Sequence, residues 1–598
     1  MKRSTYIWSL LVGCVAFATS CDLTEDVQVK ADKSMIFGSK SGLELYSNSF
    51  YKALPTLKNG FMQDKMCDVG AVSNTDTFIK RGAYNTETAT SWSWGALKNV
   101  NYFIDGCNDP KYCTVEAETR DNYLGIARWF RAWFYYDKLT TYGEVPWFPN
   151  DIQSYQNDVM YKDRDSRDVI IRNLIADLDF AYEHIQATSS TGSATLTRWA
   201  AAALKSRVCL FEAAYRRYHN LTGLEITPEE LYREAAKAAK LVIDNSGCSL
   251  NTAAGKKGAY RDLFYSETPL TQEVILAVCA NEKSGIFGEQ NWWFNARSYG
   301  LCWSLVRSFV HTYLKQDGTP FTAAADYAVK SFAEEMEGRD LRLEQTVRGR
   351  NFLWDGKTAV ADIKNLSLTG YQVIKYTLDE SKYDGGAKNI NSIPLIRYAE
   401  VMLNYAEAKA ELGTLTQEDI NLSVKRLRDR VGMSNLILDD ANKNPDPYLS
   451  DAKTGYPNVT GANKGVILEI RRERTIELAM EGFRYYDIMR WKEGKRFEKP
   501  FTGLYFPGTG SYDLNNDGVN DVCIWSGSKP ATSAPAVYEL NKEIFLSGGD
   551  SGYIIIHTDY ARSWNEERDY LYPVPTDDRV LTQGAITQNP GWNDGLNF

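Results

Sequence analysis

Apolar residues recur at the spacing of one helix face in several long segments of the chain. Segments 165–185 and 197–215 show this pattern most clearly. Their apolar stripes consist of Ile171, Leu174, Leu178, Tyr182 and Ile185 in the first, and of Ala200, Leu204, Val208, Phe211 and Tyr215 in the second. Because each stripe covers a single face, we expect two amphipathic helices that pack against a shared core.

Start and stop signals mark two further helices. Thr227 precedes Pro228 and stands three residues before Glu230, which is the pattern of a capping box with proline in the first turn. This pattern predicts a helix that runs toward Asn245. Another stripe, which ends at Gly413, consists of Val401, Tyr405, Ala408 and Leu412. Alanine-rich faces such as 200–203 permit close antiparallel packing of the helices.

The predicted fold class is therefore mainly α, with loop-rich regions that contain a few short strands. The predicted boundaries are a leader at 1–20, a flexible tether at 21–34, one body at 35–598, a helical scaffold mainly at 115–245 and 395–495, loop-rich regions at 60–110 and 245–395, and a C-terminal excursion at 497–598. Long loops on a rigid scaffold are the usual place for a binding surface.

The composition narrows the classes of ligand. The chain has 37 Tyr, 24 Phe and 15 Trp, and aromatic residues make up 13% of it. Rings that combine an apolar body with a polar edge are suited to stacking on a ligand. Lys and Arg total 68 against 77 Asp and Glu, a net charge of −9, which argues against a nucleic-acid partner because such proteins need a basic face.

The N-terminus resembles the leader of a bacterial lipoprotein. Lys2 and Arg3 form a short basic region, residues 7–18 form an apolar core that is too short to span a bilayer, and Cys21 follows small residues. The resemblance predicts cleavage before Cys21 and acylation of its thiol, which would leave the mature protein tethered by lipid at Cys21. An ordinary secretory leader with a chance cysteine is the alternative.

Local motifs of catalysis are absent from the sequence. There is no G-x-S-x-G or H-E-x-x-H motif, and the four histidines do not have the spacing of metal ligands. A glycosidase pair of carboxylates can come from distant positions, so a lipid-anchored glycoside hydrolase stays an alternative. Cys107 and Cys113 flank a short polar loop, and a local disulfide between them is left open.

Segment 466–492 carries the densest pattern of charges. Four carboxylates fall at every fourth residue, and we expect one helix in which nearby arginines neutralise them. The carboxylates are Glu469, Glu473, Glu477 and Glu481, and the expected partners are Arg472 for Glu469, Arg474 for Glu477 and Arg484 for Glu481.

The same segment resembles the signature of the SusD/RagB family of Bacteroidetes outer-membrane nutrient-binding lipoproteins. Other motifs of the family recur in the same order along the chain. They are 131–136 (RAWFYY), 142–146 (YGEVP), 396–408 (IRYAEVMLNYAEA), 572–575 (YPVP) and 588–591 (QNPG).

The resemblance implies tetratricopeptide-like helix pairs and a loop-rich face that binds a glycan or a peptide. It also implies docking on a SusC-like TonB-dependent transporter, a position on the outside of the outer membrane and no catalysis. These motifs belong to the scaffold, so they leave the ligand open. Aromatic loops favour a glycan, whereas a peptide or glycopeptide is the alternative.

Two aromatic clusters in loop-rich segments are the candidate ligand site, because sugars need exposed rings beside amide, carboxylate or guanidinium groups. We expect one of the two adjacent tryptophans to be exposed. The candidate residues are Asn291, Trp292, Trp293, Arg297 and Tyr299 in the first cluster, and Phe78, Arg81, Tyr84 and Trp92 in the second. The resemblance implies that these loops meet in one site.

Residues 513–521 resemble a calcium-binding loop. Asp513, Asn515, Asp517 and Asp521 occupy ligand positions 1, 3, 5 and 9, but position 12 is Ile524 instead of a glutamate. Calcium would need a further ligand from elsewhere, and an Asp/Asn/Gly turn without metal is the alternative. If calcium binds, we expect it to order 505–530.

Overall fold

The computed structural model describes residues 33–153, 155–296 and 300–598. The predicted leader, Cys21 and all but the last two residues of the predicted tether lie outside these ranges. Within them the chain is mainly α-helical. In chain order the α-helices are α1 (Lys33–Phe37), α2 (Lys40–Ser47), α3 (Gly95–Asn108), α4 (Ala117–Tyr142), α5 (Asn157–Met160), α6 (Arg167–His184), α7 (Arg198–Tyr218), α8 (Pro228–Asn245), α9 (Ala259–Tyr265), α10 (Gln290–Asn295), α11 (Arg307–Val310), α12 (Phe332–Met336), α13 (Tyr398–Glu411), α14 (Gln417–Leu422), α15 (Val424–Arg430), α16 (Leu438–Lys443), α17 (Pro447–Ser450), α18 (Lys464–Glu477), α19 (Arg484–Arg490) and α20 (Thr576–Leu581).

The strands are short and form small separate sheets. They are β1 (Gly70–Ala71), β2 (Val274–Val278), β3 (Ser304–Leu305), β4 (Leu353–Trp354), β5 (Lys357–Thr358), β6 (Ile393–Arg397), β7 (Thr502–Phe506), β8 (Gly510–Tyr512), β9 (Val522–Trp525), β10 (Ala536–Glu539) and β11 (Gly552–Ile555). The pairs β1–β3, β2–β6, β4–β5, β7–β11 and β8–β9 are antiparallel, and β9–β10 is parallel.

The four helices predicted from apolar stripes and capping signals are confirmed, and two of them start at a threonine cap. Thr197 caps α7, and Thr227 forms a capping box with Glu230 at the start of α8. Packing runs from α4 to α6, α7, α8 and α13. Residues 200–203 of α7 are buried alanines, and small side chains let neighbouring helices approach closely. This chain of helix pairs is the scaffold.

The loop-rich half has a hydrophobic core of its own. Residues of α9, β2, α11 and the segments around 343–376 and 501–554 form this second core, whose large rings include Trp303 and Tyr371. The helical scaffold surrounds the first core. The loops are therefore packed structures rather than free excursions.

The segment 466–492 is broken where one continuous helix is expected. Helix α18 ends at Glu477, Met480 and Gly482 take positive φ angles of 66° and 86°, and α19 starts at Arg484. The stripe of four glutamates is therefore interrupted, and Glu481 lies in the turn between the two helices.

The buried ion network exists, but most of its pairs differ from the expected ones. Only the pair of Arg472 with Glu469 is confirmed, with Nη1 and Oε1 2.8 Å apart. Arg474 in α18 binds Asp487 of α19 instead of Glu477, and Arg484, which follows the break, binds Asp68 instead of Glu481.

Glu477 is the centre of the network. Its carboxylate accepts hydrogen bonds from Arg342, Arg397 and Arg430 at 2.6–3.0 Å, and all four side chains are at most 1% exposed. Arginine forks from three different segments thus neutralise one buried carboxylate.

Cys107 and Cys113 carry free thiols, so the local disulfide that the sequence left open is not formed in the structure.

Within the described ranges, no helix has both the length and the apolar surface required to cross a membrane.

Candidate functional site

Three segments of the loop-rich half meet on one side of the second core, namely α10, residues 378–388 and the β4–β5 hairpin. Asn291 joins α10 to the second of these segments. Its side-chain amide accepts a hydrogen bond from the Leu378 N–H and donates one to the Leu378 carbonyl, both at 2.8 Å. The β4–β5 hairpin joins them at Asp355, whose N–H donates to the Asp379 carbonyl at 3.0 Å and whose carboxylate accepts from the Ser381 N–H at 2.9 Å.

Half-buried aromatic rings lie on these three segments, and we call them together the aromatic face. Its residues are Trp292, Trp293, Trp354 and Tyr383. The centroids of Trp292 and Trp293 lie 5.4 Å apart with 42° between the ring planes. A Cβ on residue 386 would lie 3.3 Å from Cε3 of Trp292, so Gly386 lets the 384–388 loop pack closely on this ring.

Polar groups stand beside the rings. Asn295 donates to Asp384 at 3.2 Å, and burial raises the pKa of the Asp384 carboxyl. Arg348 lies 4.8 Å from the Phe352 ring centroid and 5.5 Å from that of Trp354, and burial lowers the pKa of its guanidinium to about 10. The face thus combines rings with amide, carboxylate and guanidinium groups.

The carboxylates of this region support the loops. Asp379 takes both arms of Arg261, with N–O distances of 2.9 and 2.5 Å, Asp355 caps the Ser381 N–H, and Asp384 accepts from two asparagines. All three carboxylates are therefore engaged, Asp355 with the backbone, Asp379 with a guanidinium and Asp384 with two side-chain amides.

Two of the residues predicted for the first cluster lie on the aromatic face, and one does not. Trp292 and Trp293 are both half-buried, so the prediction of one exposed ring is wrong. Trp293 packs on the second core, and its indole N–H donates to the Glu289 carboxylate at 3.3 Å. Asn291 is fully buried and holds the loops together, so its prediction as a ligand contact is wrong. Arg297 and Tyr299 lie outside the described residues.

The second predicted cluster is mostly core. Phe78 stacks on Tyr572 with centroids 4.2 Å apart, and Tyr84 packs edge-on against the same ring. Trp92 is buried against Tyr142 in the first core, so Phe78 and Trp92 are not the exposed platforms that the sequence predicted. Arg81 is exposed, and its N–H donates to the Ala561 carbonyl. Phe78 and Tyr84 thus pack on the C-terminal tail, and Trp92 packs on the scaffold.

Sequence reasoning missed Trp354, Tyr383 and Asp384. One signal for Trp354 was available, because Asp355-Gly356 is a typical two-residue hairpin turn and Trp354 precedes it directly. Tyr383 and Asp384 lie in a polar stretch that has no such signal.

The predicted calcium loop forms a tight turn. The Asp513 carboxylate accepts from the N–H groups of Asn515, Asp517 and Gly518, and Asp521 accepts from the Leu514 N–H. Ile524, at the position of the missing glutamate, is buried in β9. Over the described ranges, no three His, Cys, Asp or Glu side chains are grouped in a way that could hold a metal ion. Calcium therefore stays a prediction.

Comparison with known proteins gives a consistent result. A model described as the SusD family matches residues 272–592, which is more than half of the chain. The chain is 25% identical over 426 residues to SusD-like protein P2 of Formosa agariphila, which covers 67% of this chain and 71% of that protein. It is 24% identical over 399 residues to SusD-like protein P38 of the same organism, covering 64% and 69% of the two chains.

Solved structures share the fold. A SusD-like protein from Bacteroides fragilis matches with a TM-score of 0.66 at 21% identity, covering 94% of this chain and 99% of the other. A protein from the same organism, described as a SusD-like carbohydrate binding protein, matches with a TM-score of 0.67 at 19% identity, covering 92% and 99%. The mainly helical, tetratricopeptide-like architecture is therefore common to this chain and these structures.

Proposed function

This chain belongs to the SusD family, and from that premise we propose that it is a surface lipoprotein that captures a glycan and delivers it to a SusC-like TonB-dependent transporter. The aromatic face is the observation that supports glycan capture. The apolar side of a sugar ring stacks on aromatic rings, and its hydroxyl groups bond to amides and carboxylates such as those of Asn295 and Asp384. Both kinds of group stand together on this face.

The proposal includes a lipid anchor at Cys21 and a position on the outer surface of the outer membrane. The family is associated with the cell surface of Bacteroidetes, and the lipoprotein-like leader in the sequence supports the anchor. The tether predicted at 21–34 would give the body freedom to meet a transporter. We also propose that the protein binds without catalysis, since the carboxylates near the rings hold the loops.

The test is affinity electrophoresis of residues 22–598 in native gels cast with plant, host and microbial polysaccharides. We expect one polysaccharide class to retard the protein, and Trp292→Ala and Trp354→Ala each to weaken the affinity about tenfold, because a stacked ring at the centre of a site contributes strongly to binding. Trp199→Ala is the matched control, since Trp199 is also half-buried but bonds to the Thr188 carbonyl in the scaffold.

Three results would contradict the proposal. If no polysaccharide retards the protein, a peptide ligand becomes the better hypothesis. Equal retardation of all three variants would remove the aromatic face as the site. Release of oligosaccharides by the purified protein would indicate a hydrolase.

A further inference from the structure

A chamber of about 710 Å³ opens on the molecule, and none of its lining residues belongs to the aromatic face. Segment 53–65, helices α4 and α7 and the turn before α19 form its walls. Aromatic rings line much of it, including Trp133, Phe134, Tyr136, Phe211 and Tyr486. The volume is that of a site for a small molecule.

Most charged groups on the chamber wall are already paired. Arg207 binds both oxygens of Glu400 at 2.6 and 2.7 Å, and Arg474 binds Asp487 at 2.8 and 3.0 Å. Glu481 accepts from Arg397 and Lys375. These groups stiffen the wall and add little net charge to the chamber.

Asp137 differs from them. Its side chain lines the chamber and is accessible there, although Tyr136 and Lys138 on either side are buried. The Lys138 ammonium donates to the Ser91 carbonyl at 2.9 Å and lies 5.3 Å from the Phe134 ring centroid. Within the described ranges, the Asp137 carboxylate has neither a hydrogen bond nor an ion pair. Burial raises its pKa, and the charge of the neighbouring Lys138 offsets part of that rise.

We propose that this chamber binds the ammonium group of a small organic cation, with Asp137 as its counter-ion and neighbouring rings around it. A carboxylate attracts a cation more strongly where protein replaces much of the water. The faces of Trp and Tyr rings attract the same cation through their quadrupoles. Segment 53–65 marks where the chamber meets solvent, because four of its lining residues are exposed: Ala53, Asn59, Gln63 and Lys65.

Three probes test the proposal by isothermal titration calorimetry at neutral pH. Choline is a quaternary ammonium compound, and glucosamine differs from glucose by an amino group in place of one hydroxyl. We expect saturable binding of choline and glucosamine but none of glucose at the same concentrations. Equal binding of glucosamine and glucose, or no saturable binding of either ammonium compound, would overturn the proposal without need of any variant.

Single substitutions test whether Asp137 is the counter-ion of the bound ammonium group. We expect Asp137→Asn to weaken the binding of choline at least about tenfold, because a charged partner is lost. Asp121→Asn is the control, since Asp121 stands on the same helix but pairs with Arg120 near the surface. Unchanged affinity in a folded Asp137→Asn protein, judged by its melting temperature, would refute the role of this carboxylate. Polysaccharide retardation in native gels is a separate readout, so failure here leaves the glycan proposal standing.

Discussion

His219 gives the molecule a predictable dependence on pH. The ring stacks on Tyr215 with centroids 3.9 Å apart, and one of its nitrogens lies 2.8 Å from the Met489 carbonyl oxygen. Burial lowers its pKa to about 4, below the ordinary value of 6.5. The folded state therefore binds fewer protons than the unfolded state between these values.

We expect the free energy of unfolding to fall as the pH drops from about 6.5 to about 4, by at most about 3 kcal/mol, since each unit of pKa difference is worth about 1.4 kcal/mol. Urea denaturation over this pH range measures the slope. His219→Gln should lose this part of the slope, whereas His184→Gln, at the end of α6, serves as the control. An identical slope in the His219 variant would contradict the assignment.

Residue-scale burial was the hardest feature to read from the sequence. Phe78 and Trp92 stand in polar surroundings along the chain, which is typical of exposed rings. Their neighbours in space include Tyr572, almost 500 residues away from Phe78. No local pattern contains such a contact, so exposure could not be predicted.

At the scale of elements, close approach of two helices depends on one glycine. A Cβ on residue 465 in α18 would lie 1.8 Å from the Ala441 carbonyl oxygen in α16. That oxygen belongs to the backbone and cannot rotate away. We expect Gly465→Ala to lower the free energy of unfolding by more than about 2 kcal/mol, because the helices must separate.

Chemical denaturation measures the free energy of unfolding of the Gly465→Ala protein, and Gly95→Ala is the matched control. Residue 95 begins α3, and a Cβ there would meet no heavy atom within 4 Å. We expect it to be neutral or stabilising by up to about 1 kcal/mol. Similar losses in both variants would show that helix contact is not the cause.

The predicted calcium site belongs to a single loop, residues 513–521. Burial and repulsion from Asp517 and Asp513 raise the pKa of the Asp521 carboxyl, and a bound cation would relieve that repulsion. We expect about 5 mM calcium to raise the melting temperature and to protect 505–530 from proteolysis, as weak extracellular sites do. Magnesium at the same concentration is the control. A melting temperature unaffected by calcium and by chelator would remove the prediction.

Elements with local signals were predictable, and those without them were not. Caps at Thr197 and Thr227 are short-range hydrogen bonds, so sequence patterns locate α7 and α8 well. The break after Glu477 has only one weak local signal, Gly482, because the four-residue spacing of glutamates continues through it. Its cause is tertiary: the Asp64 carboxylate accepts from the N–H groups of Gly482 and Arg484 in the turn.

At the scale of the whole molecule, Glu477 connects two hydrophobic cores. Helix α18 contributes Val466 and Leu468 to the first core and Ile476 to the second. Arg430 comes from the scaffold, and Arg342 comes from the loop-rich half. One carboxylate is therefore paired with arginines of both halves.

We expect Glu477→Gln to lower the free energy of unfolding by at least about 3 kcal/mol, because buried guanidinium groups lose their shared counter-charge. Calorimetry should then separate one transition into two, since each core keeps its own apolar packing. Glu418→Gln, at an exposed position of α14, should melt like the unaltered protein. A single transition at an unchanged temperature in the Glu477 variant would mean that apolar contact alone couples the two cores.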